Sequence, residues 1–133
     1  MKKLSLVLLI LLSGCSSLIE AYLMKYDTNE YFLINDVRTA AQLGQLHCDD
    51  AVESKANAES LATKTLTLMN FAQYQPHNKP VQNSSIELNK IAQGLNDQYH
   101  SGNSVSTTFC RIKFKIVEDA ATTIQQSEGN KPK

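Results

Sequence analysis

The most distinctive chemistry in this 133-residue chain belongs to three cysteines, Cys15, Cys48 and Cys110. A thiol can serve as a nucleophile, a metal ligand, an acylation site or half of a disulfide, and its surroundings decide which. Cys48 lies in the run His47-Cys48-Asp49-Asp50, where every side chain is a potential metal ligand. A zinc site, however, needs ligands spaced to converge, as in C-x-x-C or H-x-x-x-H pairs. Neither pair occurs, and His77 and His100 stand alone. No metal and no other cofactor is expected. There is no G-x-S-x-G elbow and no phosphate-binding glycine loop. Glu30 and Asp36 would approach each other on a helix, as many surface acids do. Nothing assembles a nucleophile, an acid pair or a metal constellation, so enzymatic activity is not expected.

The setting of Cys15 is different. Lys2 and Lys3 are followed by Leu4 to Leu12, apolar apart from Ser5, and then by Ser13 and Gly14. That run falls short of the roughly 20 apolar residues a bilayer span needs and has the length of a signal-peptide core. Leu12-Ser13-Gly14-Cys15 resembles the lipobox of lipoproteins from diderm bacteria: Leu12 holds the aliphatic position, Ser13 and Gly14 the small ones, Cys15 the thiol. The resemblance implies cleavage before Cys15, diacylation of its sulfur and further acylation of the new amino group with palmitate-type chains. A single chain holds a protein only marginally, so stable anchoring takes two or more. Ser16 follows the cysteine, with no Asp there, which resembles the pattern sorted to the outer membrane. The expectation is a signal peptide over 1–14 and a chain held to membrane lipid through Cys15, at the outer membrane and facing the periplasm.

Without Lys2 and Lys3 the chain has 11 basic residues against 13 acidic ones, a net charge of −2. That balance gives no basis for binding nucleic acid. With Cys15 acylated, Cys48 and Cys110 remain. An even pair in an oxidising periplasm reads as a disulfide; the alternative is two buried free thiols.

These residues must be placed by helices. Asp27-Thr28-Asn29-Glu30 has the form of a capping box. Leu33, Ile34, Val37, Ala40, Ala41 and Gly44 then recur at helical spacing and carry Cys48 onto the same face. Asp49 or Asp50 can cap a second helix, with a stripe of Ala58, Leu61, Ala62, Thr65, Leu68, Met69 and Ala72, ending by Gln75 because Pro76 disfavours helical geometry before it. Residues 76–83 read as an exposed loop. Ser84-Ser85-Ile86-Glu87 repeats the box signature ahead of Leu88, Ile91, Ala92, Leu95 and Tyr99. From Cys110 to Ile116 a strand-like alternation competes with a helical face of Cys110, Phe114, Val117, Ala121 and Ile124. No other segment offers a strand partner, and Ser104 can cap a helix, so a helix is expected. The fold class is all-α: a small bundle of three to four helices stapled by one disulfide. It comprises a lipidated membrane-proximal segment 15–26, a helical domain 27–127 and a flexible tail 128–133.

Two clusters are candidate binding surfaces. Tyr22, Tyr26 and Tyr31, with Phe32, crowd the membrane-proximal end, and aromatic residues dominate binding hot spots. Arg111, Lys113 and Lys115 form a local basic group. The layout also resembles, in architecture only, the pilotin lipoproteins of type II secretion, which are lipidated helical bundles with one disulfide. That resemblance implies an adaptor that grips a helix of another envelope protein in a groove between its own helices; it carries over no groove residues. The alternative is a phage- or prophage-encoded lipoprotein acting in superinfection exclusion, by blocking a receptor, or in host lysis.

Overall fold

A computed structural model describes residues 25–133. The expected signal peptide, Cys15, Tyr22 and the expected membrane-proximal segment up to residue 24 lie outside the described residues. Four helices follow in order: α1 Thr28–Leu46, α2 Ala51–Gln73, α3 Lys79–His100 and α4 Thr107–Gly129. Short turns join them, and packing is between neighbours in a ring, α1 on α2, α2 on α3, α3 on α4 and α4 back on α1. This is an up-down-up-down four-helix bundle. Among the described residues there is no strand; the 110–117 stretch is helical and its alternation is incidental. None of the described helices is long and apolar enough to cross a membrane.

The caps show why the helices begin where they do. The Asp27 carboxylate accepts from the Glu30 amide at 3.0 Å, and Asp50 accepts from Val52 and Glu53 at 2.8 and 2.9 Å. These bonds hold the Asp50 carboxyl below its usual range, because they favour the charged form. Ser106, not Ser104, caps α4 by accepting from the Phe109 amide. The third helix departs from the sequence expectation. It starts at Lys79 rather than after Ser84, with Asn78 at the cap position and Pro80 in the first turn. Proline is tolerated there because the first amides of a helix have no intrahelical acceptor. The connection is therefore shorter than 76–83, turning through His77 at φ 60°.

Each helix contributes the apolar stripe its spacing dictates. Ile34, Val37 and Ala41 from α1 meet Leu61, Leu68 and Ala72 from α2, Leu88, Ala92 and Leu95 from α3, and Phe114, Val117 and Ala121 from α4, all in one core. The tightest approach is between α1 and α4. The Phe114 ring lies directly over Gly44, in the space a Cβ would take. One turn beyond, Cys48 and Cys110 form the disulfide, with Cα atoms 5.8 Å apart.

Two stability predictions follow from this seam. Closing a loop of 62 residues is worth about 4 kcal/mol in the chain-entropy model. The Cys48→Ser/Cys110→Ser double variant should lose stability of that order in denaturant titrations, and reductant should then have no further effect. Gly44→Ala should cost about 1–3 kcal/mol by overpacking, although alanine is the better helix former. Adding Phe114→Leu to Gly44→Ala should recover part of that loss in the same titrations.

Candidate functional site

α3 and α4 are the least closely packed adjacent pair in the bundle. Between them runs a groove of about 400 Å³ lined by Asn83, Ser84, Glu87, Leu88 and Ile91 from α3 and by Ala120, Thr123 and Ile124 from α4. Its floor is aliphatic and its rim polar, the usual make-up of a surface that seats an amphipathic segment. The same stripe of α4 continues at helical spacing through Ile116 and Ile112 to Phe109. Ile116 is 42% and Ile112 53% exposed, although both are isoleucines. On α3 the matching line passes Gly94, where an added Cβ would meet nothing within 4 Å. The groove itself is bounded by Ile91 on α3 and Ala120 on α4.

The expected binding residues do not form one surface. Arg111, Lys113 and Lys115 alternate in sequence, so a helix disperses them. Lys113 falls on the groove stripe, with its Nζ 5.4 Å from the centre of the Phe109 ring. Arg111 and Lys115 fall on the other side of α4. Lys115 is paired with Glu118 and Asp119, and the hydrogen bond to Asp119 holds its ammonium above the usual range. Glu118 accepts from Gln42 and Gln45 of α1 at 3.0 and 2.7 Å, which lowers its carboxyl pKa. Tyr26 and Tyr31 sit at the opposite end of the bundle from Arg111. They are half-buried against each other, with ring centres 5.8 Å apart. The Tyr26 amide donates to the Pro132 carbonyl at 3.0 Å. These tyrosines serve largely to close the bundle end.

That end also holds a buried polar cluster the sequence did not suggest. Glu30, expected to complete a capping box, instead turns inward and is fully buried, and its two carboxylate oxygens accept from Asn78 Nδ2 at 2.6 and 2.7 Å. The reciprocal bond of the box comes from α4: the Asp27 amide donates to Glu128 Oε1 at 3.0 Å. The tail expected from residue 128 begins inside the structure. α4 runs to Gly129, Glu128 is fully buried, and Lys131 reaches back to Glu128, to Glu30 at 3.4 Å and to Asn78 Oδ1 at 3.0 Å. One signal was present in the sequence: Glu30 continues the stripe of Ile34, Val37 and Ala41, and Glu128 continues that of Ala121 and Ile124.

Two buried carboxylates face one ammonium. Burial raises the Glu30 carboxyl first, then its hydrogen bond and repulsion with Glu128, outweighing Asn78 and Lys131, to about 7 from an ordinary 4.5. A proton on Glu30 makes the cluster neutral. Neither carboxylate is exposed, so the cluster is out of reach of a solute. Among the described residues no three of His, Cys, Asp and Glu group as metal ligands. His47 and His100 lie instead against surface acids, Glu53 at 2.6 Å and Glu59 at 3.1 Å.

No protein-family model matches this chain, and comparison with curated proteins and with solved structures finds no match.

The Glu30 carboxyl gives a pH prediction. Its folded-state pKa is raised, so the folded chain binds a proton that the unfolded chain has released between pH 4.5 and about 7. The resulting stabilisation is complete below 4.5 and is lost as pH rises through 7. At about 1.4 kcal/mol per unit, the loss is at most roughly 3 kcal/mol. Glu30→Gln keeps the shape of the protonated acid. The stability of Glu30→Gln relative to wild type should therefore improve steadily from pH 5 to pH 8 in parallel melts.

Proposed function

We propose that this chain is a lipid-anchored binding protein of the outer membrane, facing the periplasm, whose bundle engages a helical segment of another envelope protein in the α3–α4 groove. The observation that carries the reading is the groove itself: an aliphatic floor of Leu88, Ile91, Ala120 and Ile124, left open between the two least closely packed neighbouring helices. An apolar surface of this kind is costly to leave bare in water, and it suits a partner that presents an apolar helix face. The lipobox-like Leu12-Ser13-Gly14-Cys15 supports the anchor, and the disulfide supports an oxidising compartment.

The test uses the full chain expressed in its native envelope. A photo-crosslinking residue at Thr123, on the groove rim, should form an adduct with an envelope protein, whereas one at Thr63, exposed on α2, should not. Glu87→Arg, at an exposed position of the groove lining, should leave the melting temperature within a few degrees of wild type while reducing the Thr123 adduct at least several-fold. Equal adducts at both positions would remove the groove from the reading. Cys15→Ala should shift the protein from the outer-membrane fraction to the soluble periplasm.

A further inference from the structure

The two ends of the bundle differ in chemistry. One end gathers the start of α1, the α2–α3 turn, the start of α3 and the residues after α4, tied together by Asn78, Lys131 and the Tyr26–Pro132 bond. Lys25, Lys79 and Lys133 are exposed there. Of the acids at this end, Glu30 and Glu128 are buried with Lys131, and the Asp27 carboxylate is turned onto the α1 amides as a cap. Tyr74, which ends α2, is 87% exposed at this end, and Phe32, in the second turn of α1, is 64% exposed. The other end carries Asp49, Asp50 and Glu53 around the turn from α1 to α2, only partly offset by Lys55 and Arg111, with Val52 exposed at 80%.

The chain also enters at the basic end. Lys25 is about ten residues from Cys15, a span of at most roughly 35 Å when fully extended. Helices of 23 residues set the acidic end about 34 Å farther away. We infer that the bundle stands on an anionic phospholipid surface through this end, with Lys25, Lys79 and Lys133 against the phosphates and Tyr74 and Phe32 at the headgroup level. Lysines gain from an anionic surface within a Debye length of it, and aromatic rings with one apolar and one wet side settle at the interface. The acidic end faces away from the lipid, and the α3–α4 groove rises from the headgroup level, with Asn83 one turn above Lys79. This orientation rests on the anchoring read for Cys15.

The chain contains no tryptophan, so a single introduced one reports its own depth. Acylated full-chain Tyr74→Trp and Val52→Trp would each be mixed with vesicles of phosphatidylcholine and phosphatidylglycerol carrying a bromolipid quencher. Both sites are exposed, so neither substitution disturbs the core. Tyr74→Trp should be quenched at least two-fold more than Val52→Trp. Replacing Lys25, Lys79 and Lys133 together by Gln should reduce that contrast while the protein still floats with the vesicles. Equal quenching at the two positions, or stronger quenching of Val52→Trp, overturns the orientation. A contrast unmoved by the triple substitution overturns the anionic-lipid assignment. Failure of the wild-type chain to float overturns the anchoring reading and the orientation with it, whereas floating with equal quenching overturns the orientation alone.

Discussion

The bundle depends on closing its first helix against its last. α1 and α4 share the most extensive packing in the protein, although the residues they join stand up to 101 positions apart. Helix contacts at that separation cost chain entropy that local contacts do not. The seam offsets this by three means along its length. At one end the Cys48–Cys110 bridge removes much of the loop entropy from the unfolded chain. In the middle, Gly44 lets the Phe114 ring press on the α1 backbone, and Gln42, Gln45 and Glu118 satisfy one another beside it. Further along, the Gln125 side chain accepts from Arg38 at 2.8 Å and donates to Asn35 at 3.1 Å. At the far end the Glu30–Glu128–Lys131 cluster locks the chain termini of the domain.

The openness of the groove follows from that arrangement. α2 and α3 are adjacent through a short turn, and α1 and α4 are closed by the seam. The α3–α4 pair has neither a disulfide nor a buried ion pair across it. Its facing residues include Ser84, Ala120 and Thr123, which are too small to fill the space between the two helices. The closest packing is thus across α1–α4 and α2–α3, and the α3–α4 seam between them is left free to accept another surface. The buried cluster likewise has its cost: two carboxylates face one ammonium, and burial raises the Glu30 carboxyl.

The sequence made much of the fold legible. Its 3–4 spacing of Leu, Ile, Val and Ala set four amphipathic helices, and the aspartates and serines ahead of them supplied caps. The errors cluster where a local signal competed with a distant one. Ser84-Ser85-Ile86-Glu87 has the form of a helix start, yet the helix begins at Lys79, because Pro80 fits a first turn and Asn78 is drawn to Glu30. Glu30 fits a capping box, yet Glu128 from the far end of the chain takes its place at the Asp27 amide. The candidate site was less legible still. Arg111, Lys113 and Lys115 are neighbours in sequence and divided by the helix, while the groove is made by Asn83, Ile91, Ala120 and Thr123, each unremarkable in its own segment.

By itself the sequence determined what depends on neighbours along the chain: helical periodicity, most of the capping, the pairing of two cysteines left after Cys15, and a lipobox-like start. Tertiary structure alone decided that two acids on separate apolar stripes would meet around one lysine, that residues 128–131 would be part of the domain, and that α3 and α4 would stand apart. The physical reason is common to all three. Helical periodicity tells which face of a helix is buried, but the partner of a buried charge and the width of a seam are set by how closely other helices can approach. That distance is fixed by side chains such as Gly44 and Phe114, which come from opposite ends of the domain.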